Sequence, residues 1–231
     1  MLNPRTAAAH VYVSSLDEPR LEAADRHHLE RVLRLRAGAE ITVGDGAGRW
    51  RPAVLGTELQ PMGSAVTEVA AGPPLTVGFA VVKGDRPDLI VRALTEVGID
   101  RIVPLHSARS VVRWTGSRRS EAVERLRRVV RSAGMQSRRV WLPEVCDVED
   151  LADMVAGGGD EVALAVPGEM RALDRPTVLV GPEGGWTPEE LAMGNGSVAH
   201  VGLGPHVLRS ETAAIAAGVL LVAGFRPARS G

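Results

Sequence analysis

From Leu75 onward the chain alternates uninterrupted apolar runs with amphipathic stretches, and this alternation restricts the architecture more than any other feature. The runs are LTVGFAVV (75–82), RIVPL (101–105), EVALAV (161–166), TVLV (177–180) and SVAHVGL (197–203). A strand that is apolar on both faces must be covered on both, so such runs separated by helices predict an α/β fold with a mostly parallel sheet. Three intervening helices can be read. Asp85-Arg86-Pro87-Asp88 opens one whose apolar positions Leu89, Ile90, Ala93, Leu94 and Val97 recur at helical spacing, and Gly98 stops it. A second spans about Ser117 to Ser137, and the last about Ser210 to Ala223.

The first 70 residues have a different texture. HVYV (10–13), EITVGD (40–45), RWRPAVLG (49–56) and SAVTEVA (64–70) read as short strands, with Asp45-Gly46-Ala47-Gly48 as a hairpin turn and one helical stretch from Glu22 to Leu35. AGPP (71–74) reads as a linker, which divides the chain into domains 1–72 and 73–231. Hydrophobic content of 45% and charge of 24% are those of a globular protein with a sizeable core. The opening MLNPRTAAAHVYV lacks the basic start and apolar core of a signal peptide. AAIAAGVLLVAGF (213–225) is too short to span a bilayer and reads as a buried helix. Cys146 is the only cysteine, which excludes an intramolecular disulfide and CxxC metal motifs. A cytoplasmic protein without a membrane partner or a metal site is expected.

Charge is unevenly spread. Net charge is −1, yet ten arginines (109, 113, 118, 119, 125, 127, 128, 131, 138 and 139) fall between Arg109 and Arg139 against only Glu121 and Glu124. Lys83 is the sole lysine among 27 basic residues, so compositional bias accounts for the choice of arginine, but not for its clustering. A basic helix of this kind points to a polyanion, with RNA the leading candidate. With only 3% aromatic residues, a base-stacking platform is not expected.

Three strand ends carry unusual sequence: AVPGE (165–169), GPEGGW (181–186) and LGPHVLRSET (203–212). Ligands of open parallel sheets bind beyond the carboxyl ends of the strands. There is no GxxxxGK[ST], and no GxGxxG followed by an acidic residue, which argues against a P-loop or a dinucleotide site. After GPEGGW, Thr187 as N-cap, Pro188 at the first position and Glu190 in a capping box start a helix. Taken alone, GPEGG is equally a tight connection with no ligand. Two further glycine- or proline-bearing strand ends in the same half favour a pocket built from backbone.

GPEGGWTPEE together with LGPHVLRSETAA resembles the paired C-terminal signature of the RsmE-type methyltransferases, of the SPOUT class. KGDRPDLIVRALTEVGI (83–99) is similar to that family's Lys-Gly…Glu-Leu-Gly-Val segment, with Val97 in place of Leu. MQSRRVWLPEV (135–145) resembles its Glu-Gln-Ser-x-Arg…Pro element, with Met135 where Glu is usual. HLERVLRLRAG (28–38) resembles its His-Leu-x-x-Val-Leu-Arg-x-x-x-Gly stretch, although Ala39-Glu40 follow where Gly-Asp is frequent. Five segments in the right order cover nearly the whole chain.

The resemblance implies an enzyme that uses S-adenosylmethionine to methylate N3 of one uridine in small-subunit (16S) ribosomal RNA. It also implies a small PUA-like β-barrel, a C-terminal trefoil knot and a homodimer, with RNA free or within the assembled subunit. The adenosyl group would lie against Ala165, Val166 and Pro167, then Gly181, Pro182, Glu183, Gly184 and Gly185, and finally Leu203, Gly204, His206, Val207, Leu208 and Thr212. Glycines 181, 184, 185, 202 and 204 permit close approach to the main chain, and Leu203, Val207 and Leu208 supply apolar walls. Uridine N3 is a poor nucleophile while protonated, so the imide anion has to be favoured. Arg209 is the candidate for holding that charge, with a phosphate clamp or a structural ion pair to Glu183 or Glu211 as its other readings. Glu183 and Glu211 are both candidates for the proton acceptor, with ordering of a helix end as the other reading of each. His28, Arg34, Lys83, Arg113, Arg118, Arg119, Arg125, Arg128, Arg131, Arg138 and Arg139 are the candidate RNA contacts, facing either RNA or a dimer partner. Trp114 and Trp141 can stack on a base or pack in the interior. Two rival readings stay open: a methyltransferase of the same fold acting on transfer RNA or a ribose 2′-oxygen, and a non-catalytic RNA-binding or ribosome-assembly protein.

Overall fold

The computed structural model describes residues 2–226, which divide into two units. One comprises the chain up to Ala70 together with Arg131–Leu142, and the other Ala71–Val130 and the chain from Pro143 onward.

In the first unit the order is β1 (His10–Tyr12), α1 (Ala23–His27), a π-helical turn (His28–Val32), β2 (Glu40–Gly44), β3 (Arg49–Val54), β4 (Gln60–Pro61) and β5 (Val66–Thr67). The sheet order is β1-β2-β3-β4, with β5 also on β3. β1 lies parallel to β2, and β2 and β3 form an antiparallel hairpin. Gly46 and Gly48 supply the left-handed positions of its turn (φ 74° and 95°), and Asp45 Oδ1 accepts from the main-chain N–H groups of Ala47 and Arg49. The sequence predicts helix as far as Leu35. The helical stretch ends at Val32, just before Arg34 enters the left-handed region at φ 55°. Val11, Leu29, Ile41, Val43 and Ala53 form the core.

Arginines close this unit. Arg131 bonds to the buried Asp25 at 2.5 Å and to the Tyr12 carbonyl at 3.0 Å, with its guanidinium over the Tyr12 ring. Arg138, itself left-handed at φ 60°, donates to the carbonyls of Pro4, Arg5, Ala7 and Ala8.

The second unit contains β6 (Thr76–Ala80), α2 (Arg86–Val97), β7 (Arg101–His106), β8 (Glu144–Val145), β9 (Glu149–Asp150), α4 (Leu151–Gly158), β10 (Val162–Ala165), β11 (Thr177–Val180), α5 (Pro188–Leu191), β12 (Ala199–Val201) and α6 (Ser210–Phe225). The basic helix α3 (Ser117–Ser137) begins in it and ends among the residues of the first unit. The sheet order is β12-β10-β11-β6-β7-β8, with β9 also on β7, and every pairing is parallel. This α/β fold is the one the apolar runs predict. Gly98 ends α2 at φ 111°, a left-handed cap that glycine takes without a Cβ penalty. After the edge strand β12 the chain returns to the middle of the sheet, where α6 packs on β6, β11 and α2. α4 and the two-residue strands β8 and β9 escape the sequence reading, because such short elements carry no measurable period.

His10 links the first unit to pH. It is 2% exposed, pairs through Nδ1 with Thr42 Oγ1 at 2.9 Å, and sits where Gly44 leaves room for its ring. Burial, helped by the Arg138 guanidinium, pushes its pKa down from 6.5 to about 4. Between those values the unfolded chain binds a proton that the folded chain refuses. Stability therefore falls as pH drops through that window, by roughly 3 kcal/mol in total. His10→Gln removes the titrating group, so its urea midpoint should fall less than the wild type's between about pH 7 and about pH 4.5. Equal falls would refute the assignment.

Candidate functional site

β10, β11 and β12 are neighbours in one parallel ladder, so the connections that leave their carboxyl ends lie side by side. A cleft opens between them. Ala165, Val166 and Pro167 come from the first connection, Gly181 to Glu183 and Gly185 from the second, and Leu203, Gly204, His206, Val207 and Leu208 from the third. Gly185 (φ 68°) and Gly204 (φ 149°) hold backbone conformations that side-chain-bearing residues rarely adopt, and nothing lies within 4 Å of the place a Cβ would take at either.

The connections are tied to one another. Trp186, 7% exposed, donates its indole N–H to the Ala165 carbonyl at 3.0 Å, joining the second connection to the first. Ser210 Oγ donates to the Gly181 carbonyl at 3.2 Å, joining α6 to the second. The capping box forms: Thr187 Oγ1 accepts from Glu190 N–H at 3.2 Å, and Glu190 Oε2 accepts from Thr187 N–H at 2.8 Å. Glu190 is 4% exposed, and its other oxygen accepts from Ala108 N–H at 2.7 Å, which reaches the connection after β7. From that same connection Arg109 donates to the carbonyls of Gly184 and Trp186.

Charges gather at the rim. Arg86, at the start of α2, pairs with Glu183 at 2.7 Å and approaches Glu211 to 3.9 Å. Glu211 Oε2 is buried and accepts no hydrogen bond, a state costly enough to invite a donor. Arg209 caps α6 by position, is exposed, and has neither an ion pair nor a side-chain hydrogen bond among the described residues. The ion pair of Arg209 with Glu183 or Glu211 is therefore absent, and Arg86 is the cation beside both carboxylates.

The residues read from sequence as an adenosyl site line this cleft with two exceptions. Gly184 turns its carbonyl to Arg109, and Thr212 is exposed on the first turn of α6. The sequence reading misses Val180, Trp186, Ser210 and Ala213, which also line it, and Arg86 at its rim. Only Trp186, directly after the glycines, carried a signal.

The basic residues have several fates. Arg118 and Arg128 are exposed without a partner among the described residues, and Lys83 is exposed at the end of β6. Arg119 donates to the Val148 carbonyl, Arg125 pairs with Asp88 at 3.1 Å, and Arg113 reaches the Ser107 carbonyl. Arg131 and Arg138 make the internal contacts of the first unit described above, and Arg139 Nε donates to the Trp141 carbonyl. His28 and Arg34 are exposed at the π-helical turn and just beyond it. Trp114 donates its main-chain N–H to His106 Nε2, which places the ring proton on Nδ1 toward Asp150. Trp141 donates its indole N–H to the Glu68 carbonyl. Among the described residues there is no cluster of three His, Cys, Asp or Glu side chains suited to a metal, and no helix long and apolar enough to cross a membrane.

A family model described as RNA methyltransferase domain matches residues 70–222. A second, described as RNA methyltransferase PUA domain, matches residues 21–58. The chain belongs to this RNA methyltransferase family. Among its relatives, the ribosomal RNA small subunit methyltransferase E of Mycobacterium bovis is 34% identical over 212 residues, covering 82% of this chain and 80% of its own. The protein of the same name from Synechocystis is 33% identical over 213 residues, covering 84% and 69%. A probable rRNA methyltransferase from Porphyromonas gingivalis superposes with a TM-score of 0.78 at 25% identity, covering 94% of this chain and all of its own. The methyltransferase E of Neisseria gonorrhoeae, solved with S-adenosylmethionine, gives a TM-score of 0.77 at 24% identity over 94% and 98%, a likeness of fold. The methyltransferase fold, with a PUA domain at the N-terminus, accounts for both units.

Glu190 joins three parts of the site from a buried position. Glu190→Ala removes both the capping box and the link to Ala108, leaving main-chain donors unpaired, and should lower unfolding stability by about 2 kcal/mol. Chemical denaturation reads it directly, and a change within error would show the box to be dispensable.

Proposed function

We propose that the chain is a homodimeric, cytoplasmic enzyme that uses S-adenosylmethionine to methylate N3 of a uridine in small-subunit ribosomal RNA. The observation that carries the reading is the cleft shared by the connections after β10, β11 and β12, with glycine backbone on one side and Leu203, Val207 and Leu208 on another. An adenosyl group needs main-chain edges and an apolar slot, and these residues fit it. When bound, S-adenosylmethionine supplies the electrophilic methyl group.

The chain's residues do the rest. Arg209, beside the cleft and without a partner among the described residues, holds the negative charge that develops on O2 or O4 of the uracil ring. Glu183 and Glu211 are the candidates to accept the N3 proton; Arg86 pairs with Glu183 and lies 3.9 Å from Glu211. Exposed Arg118, Arg128 and Lys83, with His28 and Arg34 in the first unit, contribute RNA contacts. The exposed apolar residues Val219 and Leu220 of α6, a helix without a charged residue beyond Glu211, supply the dimer face. The return of the chain from β12 to α6 is the segment in which we place the trefoil knot.

Purified protein incubated with labelled S-adenosylmethionine and small-subunit RNA, free or in assembled subunits, should yield N3-methyluridine by nucleoside mass analysis. A ribose-methylated product, a transfer RNA product, or no donor binding would each overturn the reading. In the same assay Arg209→Ala should lower kcat by roughly 10²–10³-fold with little change in RNA affinity. Arg209→Lys should rescue poorly, lacking the planar fork. A raised KM for RNA with near-normal kcat would instead identify a phosphate clamp.

The free arginines of α3 give a separate expectation. Arg118→Glu with Arg128→Glu should weaken RNA binding and flatten its salt dependence, because phosphate contacts release counterions, while donor affinity stays put. Filter binding over a salt series decides it. An unaltered slope would mean that these side chains only face solvent.

A further inference from the structure

Arg109 belongs to the basic segment by sequence, but its guanidinium is turned toward the cleft's second connection. Nη1 donates to the Gly184 carbonyl at 2.8 Å and to the Trp186 carbonyl at 3.0 Å. These two peptide groups are held at both ends. The N–H on the far side of the Gly184–Gly185 peptide bonds to the Pro182 carbonyl at 2.8 Å. The N–H on the far side of the Trp186–Thr187 peptide bonds to Glu190 Oε2 at 2.8 Å. A planar trans peptide pinned at both its C=O and its N–H has no remaining freedom to rotate. Glu190 ties the same two segments again through Ala108 N–H.

The connection after β7 packs against the turn after β11: Arg109 Cβ lies 3.5 Å from where a Cβ on Gly184 would stand. From there one guanidinium serves two carbonyls from one fixed plane. The need for fixing comes from Gly184 and Gly185, adjacent residues with the largest conformational freedom a chain can have.

We propose that Arg109 is a positioning residue for the donor: it presets the Gly184–Thr187 backbone so that binding does not bear the cost of ordering it. The inference rests on the donor reading above. Pre-organisation raises affinity without adding a contact, so the effect of Arg109 appears in donor binding and not in the chemical step.

The test is calorimetric titration of the full chain with S-adenosylmethionine, for wild type, Arg109→Ala and Arg109→Lys, beside steady-state kinetics and RNA binding over a salt series. Arg109→Ala should raise the donor Kd about tenfold, the worth of a charge-assisted hydrogen bond. The donor KM should rise with it, while kcat at saturating donor and the salt slope of RNA binding stay at wild-type values. Arg109→Lys keeps the charge and loses the fork, so it should lie between the two, and it serves as the decisive variant if the alanine form does not fold. Donor affinity unchanged with a lowered melting temperature would make Arg109 a purely structural tie and overturn the proposal. Weakened RNA binding with donor affinity intact would make it an RNA contact and overturn it equally. A wild-type chain that binds no donor removes the donor reading itself, and this inference with it, an outcome distinct from both.

Discussion

The parallel register of β10 with its two neighbours is the constraint on which the site depends. Ala165 is level with Val180 on one side and with Val201 on the other. Because all three strands run the same way, Val166, Gly181 and Gly202 leave the sheet in a row, one strand spacing apart. No loop sequence, however rich in glycine, makes a cleft without that alignment. The ladder is held by main-chain hydrogen bonds and by apolar side chains on both faces, such as Leu164, Val178 and Leu179, all buried. A shift of one residue would turn each of these to the opposite face of the sheet.

Alignment alone would leave a pliant turn. Glycines remove the restraints that hold a backbone still, and the fold restores them with side-chain hydrogen bonds. Trp186, Glu190, Ser210 and Arg109 each bond to main-chain atoms of the connections or accept from them. The rim is treated differently. Arg86 stands beside Glu183 and Glu211, and Arg209 is an exposed cation without a partner among the described residues.

The arginine-rich stretch from 109 to 139 is not a uniform surface. Arg109 ties the cleft, Arg125 pairs with α2 through Asp88, and Arg131 and Arg138 hold together the N-terminal unit. Arg113, Arg119, Arg127 and Arg139 reach a carbonyl or a neighbouring carboxylate, and Arg118 and Arg128 are exposed without a partner among the described residues. The composition identifies a basic segment, and the contacts divide it among separate tasks. A guanidinium that satisfies three or four carbonyls, as Arg138 does, spends donors that a phosphate would otherwise use.

The longer strands and helices of the second unit are legible because their signals are local, whereas α4, β8 and β9 are too short to carry one. Continuous apolar runs mark β6, β10 and β11, helical spacing ending in Gly98 marks α2, and Thr187 with Glu190 announces the capping box that forms. The cleft is legible too, since glycine- or proline-bearing sequence stands at three strand ends in the same half of the chain. What the sequence cannot carry is which distant side chains complete the site. Arg109 is 75 residues from Gly184 and Arg86 is 97 from Glu183, and no periodicity joins such pairs. Sequence by itself determined the main elements, the family and the floor of the cleft, because those follow from neighbours along the chain. Only the tertiary structure decided which arginines hold the cleft and which stay exposed, because packing brings the connection after β7 against the turn after β11, where Ala108 meets Glu190 and Arg109 meets Gly184.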